Sequence, residues 1–183
     1  MNLKVLKTIK NETLIKKNNN IKLYDVLDLF NKEEKLEEDN LWYCHKCKIH
    51  IAAIKKINIY KPPNYLIIHF KRFKIKSNNA FMSIFKNKKI TTYIEYPINN
   101  FDMREYVLDE ENKDSAIYEL YGIIIHKGGL NGGHYFSYCK NNGKWFEYDD
   151  ENISALKETE LMSKDAYVLF YKKKDLCNNN NNN

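Results

Sequence analysis

The sequence predicts an α+β fold built around an antiparallel sheet. Three observations predict the sheet. Six segments rich in β-branched and aromatic residues follow Ile49, and turn residues separate the later ones. Helical periodicity is confined to one early stretch and one late insert. Hydrophobic residues at 43% and aromatic residues at 14% of 183 positions supply enough apolar surface for one core.

Residues 1–20 form a polar segment closing on the run 16–20 (KKNNN), without the apolar stretch of a secretory signal. Leu23, Val26, Leu27 and Phe30 follow i, i+3, i+4, i+7 and predict a short amphipathic helix ending near Asn31. A charged stretch then leads to Trp42-Tyr43-Cys44-His45-Lys46-Cys47. Strands are predicted over 55–60, 65–73, 118–126, 135–140, 144–148 and 166–171, with Pro62-Pro63 dividing the first two. Asn141-Asn142-Gly143 is a hairpin turn, because Asn and Gly tolerate positive φ. A short helix is predicted within 154–162. Residues 173–183 end in six asparagines and are expected to be disordered, since they cannot bury enough surface to offset the entropy of ordering. There is no internal repeat and no long Gly/Ser linker.

The net charge of +6 is a weak signal for nucleic acid. Of 30 basic residues only Arg72 and Arg104 are arginine, and 25 asparagines are spread among the lysines. Bidentate phosphate and base recognition favours arginine, so the lysine surplus reads as compositional bias, and no nucleic-acid partner is expected. No run of about 18 apolar residues predicts a membrane span. An intracellular location, cytoplasmic or nuclear or both, is the expectation, and four cysteines there read as metal ligands or reactive thiols before disulfides.

Two clusters could carry chemistry. Cys44 and Cys47 form a C-x-x-C pair, but zinc takes four ligands and no second such pair exists in the chain. Half a zinc site, an unmetallated turn and a redox pair all stay open, although no strand-to-helix context favours the last. The second cluster runs Gly128-Gly129-Leu130-Asn131-Gly132-Gly133-His134-Tyr135, then a strand, the 141–143 turn, and Trp145 to Asp150. The glycines predict a mobile loop that a ligand can approach closely. Pairing through the turn returns Asp149 and Asp150 beside His134, where a carboxylate fixes the ring's tautomer and stabilises its charged form. If Lys140 faces Lys144, Asp150 lies opposite His134; a bulge at the turn favours Asp149 instead. No serine elbow is present. Cys139 is an odd number of residues from His134 on the same predicted strand and points to the other face. The base and its orienting acid are therefore present without an evident nucleophile.

The stretch 132–150 (GGHYFSYCKNNGKWFEYDD), followed by 166–171 (AYVLFY), resembles the His box of ubiquitin-specific proteases. The segments 23–36 (LYDVLDLFNKEEKL), 42–47 (WYCHKC), 61–73 (KPPNYLIIHFKRF) and 96–103 (YPINNFDM) are similar to that family in the same order, so the resemblance covers about residues 20 to 172. It implies a papain-like fold of thumb, palm and fingers, and hydrolysis of the isopeptide bond after ubiquitin's terminal glycine. His134 is implied as general base, Asp149 as its orienting residue (through a bulged register) and Asp150 as a supporting neighbour. Gly132, Gly133 and Tyr135 are implied at the substrate's tail, with 127–133 as a loop that moves aside for it. Cys44 and Cys47 are implied as half of a structural zinc site, with no cofactor for catalysis. Residues 21–55 would then be the end of the fingers and 56–172 the palm. The family's Cys box and its first C-x-x-C do not occur, so the chain is expected to be inactive by itself, with ubiquitin and ubiquitinated proteins as partners. A non-catalytic ubiquitin-binding module and a zinc-knuckle nucleic-acid binder are the competing readings.

Overall fold

The computed structural model describes residues 21–74, 88–129 and 132–174. Strand β1 (Ile21–Lys22) runs directly into the one α-helix among these residues, α1 (Leu23–Asn31). Asp25 in its first turn accepts a hydrogen bond from the Lys22 N–H at 2.8 Å, satisfying a donor that helix geometry leaves free. The strands β2 (Glu34–Leu36), β3 (Trp42–Cys44), β4 (Ile49–Ile51) and β5 (Ala53–Lys55) form two nested ladders, β3 with β4 and β2 with β5. Next come β6 (Tyr65–His69), β7 (Phe73–Lys74), β8 (Lys88–Lys89) and β9 (Ile94–Glu95); β7 pairs with β8, and β9 runs parallel to β1. The large sheet completes with β10 (Phe101–Asp102), β11 (Ile117–Gly129), β12 (Gly132–Asn141), β13 (Lys144–Asp149), β14 (Asn152–Leu156) and β15 (Ala166–Lys173).

That sheet has the order β14-β13-β12-β11-β15-β6, with β10 added to β11, and every pairing is antiparallel. Its central strand β11 carries Leu120, Ile123 and Ile125 into the core, with bulges against β15 that keep these side chains inward. Helix α1 lays Leu23, Val26 and Leu27 on the same core. The buried rings are tied by their hydroxyls: Tyr96 donates to the Leu161 carbonyl at 2.6 Å, Tyr118 to Pro63 and Tyr171 to Pro97 at 2.7 Å each. A buried hydroxyl left unpaired would be costly, so these bonds select one packing arrangement. Leu120 is fully buried at the sheet's centre. Leu120→Ala is expected to cost about 2–5 kcal/mol of stability, measured by chemical denaturation.

The helix spans the residues the periodicity predicts, and the large sheet is antiparallel as expected. Several expectations need correction. The strand predicted over 55–60 reduces to β5, after which Ile59 makes only an isolated bridge to Val107. The one predicted over 65–73 ends at His69, because the Arg72 N–H turns back to the Phe70 carbonyl. In place of a helix within 154–162 there is strand β14 and a single 3-10 turn, Glu158–Glu160. The chain reverses at Asp150, whose φ of 50° is left-handed, and Asp149 then pairs with Asn152; ladder bonds outcompete a helix that few apolar contacts would support. Helix α1 shares the core of the large sheet. Residues 34–55 form the hairpins, with Trp42, Tyr43, Ile49 and Ile54 exposed. Lys173 and Lys174, expected in a disordered tail, bond to the Asn64 and Ile117 carbonyls; 1–20 and 175–183 lie outside the described residues. None of the described helices is long and apolar enough to cross a membrane.

Candidate active site

The site is built on the β11–β12–β13 meander. Asn141 faces Lys144, so β12 and β13 close on a two-residue turn in which Asn142 (φ 47°) and Gly143 (φ 76°) are both left-handed. This is the backbone twist that a type I′ hairpin needs, and Asn-Gly is its preferred pair. Neither sequence register is realised. The turn has no bulge, and the ladder ends at Ser137 opposite Tyr148. Extending the alternation places Phe136 across from Asp149, which leaves Asp149 diagonal to His134 on the same face. Diagonal neighbours are within reach of side chains of this length, so the His–Asp contact forms without the bulge the resemblance implied.

His134 Nε2 and Asp149 Oδ1 are hydrogen-bonded. The two side chains are 49% and 36% exposed, so the ring is open to an incoming reactant rather than sealed in the core. The bonded Asp149 carboxylate holds the imidazole above its ordinary pKa; Asp150 adds to this, while partial desolvation and Lys127 oppose it. One donor atom each from His134, Asp149 and Asp150 lies within 4.8 Å of the others. No cysteine among the described residues belongs to this group. Behind the ring, Phe136 stacks at 6.0 Å, fixing its plane.

The glycines do not form the predicted loop. Lys127, Gly128 and Gly129 face His134, Gly133 and Gly132 in a continuing ladder; Leu130 and Asn131 lie outside the described residues. Gly133 is glycine for a steric reason: a Cβ there would meet the His126 ring and come within 2.7 Å of the Lys127 carbonyl. Gly132 has open space around it. Tyr135 is 53% exposed, its ring 4.3 Å from that of His126. Cys139 lies on the face opposite His134, beside Ser137.

Cys44 is buried and Cys47 exposed, on the turn between β3 and β4. The Cys47 N–H donates to Cys44 Sγ at 3.4 Å and holds that thiol below its ordinary pKa. This donor set suits a soft metal ion, yet no third metal-type donor joins it among the described residues. His45 and His50 flank the Tyr43 ring instead, at 5.2 and 5.1 Å.

The family profile of ubiquitin carboxyl-terminal hydrolases matches residues 3–171. The chain belongs to the ubiquitin carboxyl-terminal hydrolase family. It is 39% identical over 155 residues to ubiquitin carboxyl-terminal hydrolase 10 of Arabidopsis thaliana and 38% identical over 157 residues to human ubiquitin carboxyl-terminal hydrolase 15. These alignments take in 84% and 85% of this chain but 16% and 15% of those proteins. Among solved structures, the yeast SAGA deubiquitinase module superposes with a TM-score of 0.67 at 36% identity, covering 84% of this chain and 33% of that one. The SAGA Ubp8/Sgf11/Sus1/Sgf73 module bound to ubiquitin aldehyde gives 0.67 at 35% identity, covering 84% and 34%. The chain thus spans about a third of the hydrolase chains it superposes on. Its antiparallel sheet corresponds to the palm of the papain-like ubiquitin-specific protease fold. Sequence reading missed the residues that stand behind the site in this family member, chiefly His126, Lys89 and Asp165. Their separation along the chain hides that they meet.

Proposed function

We propose that this chain supplies the general base and its orienting acid to a thiol-dependent ubiquitin carboxyl-terminal hydrolase that cleaves the isopeptide bond after ubiquitin's last glycine. The observation that carries this is the exposed His134 ring bonded through Nε2 to Asp149, which leaves Nδ1 to take the proton of a thiol. Family membership supports the reaction class. The solved modules bound to ubiquitin aldehyde and to monoubiquitin support ubiquitin as the substrate.

His134 takes the thiol proton at Nδ1 while Asp149 stabilises the imidazolium. The thiolate attacks the terminal glycine carbonyl, the ring returns its proton to the departing lysine amine, and water then hydrolyses the thioester. Asp150 adds negative charge beside the ring. Gly132, Gly133 and Tyr135 border the ring on β12, where the slender glycine tail of ubiquitin would run.

The thiol is assigned to a polypeptide segment outside these residues, because no cysteine among the described residues joins the His134 group. The family's Cys box does not occur in the sequence, so the 183-residue chain by itself is expected to give no turnover of a fluorogenic ubiquitin substrate above buffer. Turnover above that level would place a nucleophile within the chain.

Cys44 and Cys47 are assigned half of a structural zinc site, the other two ligands coming from the same outside segment. Such a half-site implies weak metal retention by this chain. Elemental analysis after dialysis is expected to find well under one zinc per chain, and Cys47→Ser is expected to leave that value unchanged. One tightly held zinc per chain would show that four ligands are already present.

A further inference from the structure

A partly buried ion pair lies behind the catalytic strand. Lys89, on β8, is 7% exposed at its side chain and bonds Asp165 at 2.7 Å, itself 17% exposed. The same Lys89 ammonium donates to the His126 carbonyl. The His126 N–H donates to the Asp165 carbonyl at 3.0 Å, so both backbone groups of His126 are held by this pair of residues. The clamp falls just past the register shift between β11 and β15 at Ile124/Ile125, where the pairing with β15 ends. Next along β11 is Lys127, the cross-strand partner of His134, and the His126 ring occupies the space that a Gly133 side chain would fill. Phe73, Tyr135 and Tyr167 surround that ring at 5.4, 4.3 and 5.8 Å, leaving it little room to move.

Resting on the general-base role given to His134, we propose that the Lys89–Asp165 pair is a positioning element for that residue. It clamps β11 at His126, whose ring backs the Gly133 main chain and so sets where the His134 imidazole meets Asp149. A buried ion pair is a poor source of net stability, because desolvating both charges consumes most of their attraction. A locating role, with a lysine reaching from a separate two-stranded ladder to one carbonyl beside the site, accounts for its geometry.

The physics of buried pairs supplies the test. Lys89→Met alone leaves Asp165 partly buried and without its cation and is expected to destabilise the chain. Lys89→Met/Asp165→Leu removes both charges, and apolar replacement of such a pair is commonly neutral or stabilising. The double variant is thus expected to recover the parent's melting temperature without recovering the bond to the His126 carbonyl. His134 titration is followed by NMR on imidazole-labelled 183-residue chain, a readout that needs no nucleophile. Clamp loss loosens the Asp149 contact, so the His134 midpoint falls toward that of an ordinary histidine even where stability has returned.

The sign is diagnostic. Deleting a nearby positive charge would raise an imidazole's pKa by direct electrostatics, and Lys89 is not among the groups that shift His134. A double variant that melts like the parent and titrates like the parent at His134 would overturn the proposal. Where the double variant does not fold, Asp165→Asn keeps the side chain's shape but gives up the charge that holds the Lys89 ammonium. A lowered His134 midpoint is then expected, and a parent-like one would overturn the proposal. A parent chain whose His134 already titrates as an ordinary histidine would instead fail the general-base reading itself.

Discussion

Alanine at His134 is expected to lower turnover by ~10³-fold or more in a catalytic domain completed by the thiol-bearing segment. The same substitution is expected to leave the chain's melting temperature within about 2 °C of the parent, because the ring is half exposed and surface substitutions rarely cost more than ~0.5 kcal/mol. The two readouts separate chemistry from folding. Asp149→Ala is expected to lose less, since the ring keeps its strand position and its Phe136 stacking neighbour while losing orientation and imidazolium stabilisation. Asp149→Asn retains an acceptor for the Nε2 proton and should lie between Asp149→Ala and the parent. Steady-state kinetics on the three variants checks that order. Asp149→Asn falling below Asp149→Ala would mean that Asp149 does not act by orienting the ring.

Alanine at Gly133 is the second large effect, and it arises from crowding. The added methyl would meet the His126 ring and stand 2.7 Å from the Lys127 carbonyl, and neither can retreat. Lys127 is main chain in the ladder opposite His134, and His126 is wedged among Tyr135, Phe73 and Tyr167. Overpacking of this kind costs about 1–3 kcal/mol, or roughly 2–12 °C in a chain of this size. Displacing the residue just before His134 is expected to lower turnover by ~10²-fold in the completed domain. Gly132→Ala is the control: nothing stands within 4 Å of its methyl, so the melting temperature should stay with the parent. Equal destabilisation by the two alanines would contradict the steric explanation.

The parts legible from sequence are those in which one local pattern meets no competitor. The i, i+3, i+4 spacing of Leu23, Val26 and Leu27 places α1 because all three residues reach the sheet's core. Asn142-Gly143 fixes the β12–β13 hairpin because only left-handed residues close a two-residue loop there. His134 and Asp149 were legible as partners from that turn and the family motif, but their register was not. The contact is diagonal, and counting residues directly across the ladder cannot find a diagonal partner. The glycines at 128–133 suggest a loop because glycine lowers strand propensity. The ladder nevertheless runs to Gly129 and Gly132, and Gly133 answers a collision with His126 that no local pattern records. The helix the sequence predicts within 154–162 is replaced by β14 and a 3-10 turn. The hairpin that starts at Asp150 decides the matter from outside that segment. Lys89, Asp165 and His126 meet across 76 and 37 residues of chain. Tertiary contacts at such separation leave no periodic trace.

Histidine-resolved NMR titration of the 183-residue chain reaches the main point most directly, because it reports on the base without a nucleophile or substrate. Asp149 holds the folded ring's pKa above its unfolded value, so the pair's contribution to stability is complete below the unfolded pKa. That contribution disappears as pH rises through the folded one. The His134 midpoint is expected to lie above that of ordinary histidine and to drop in Asp149→Ala. A His134 midpoint at or below the ordinary value, unmoved by Asp149→Ala, would contradict a general base poised by its neighbouring carboxylate.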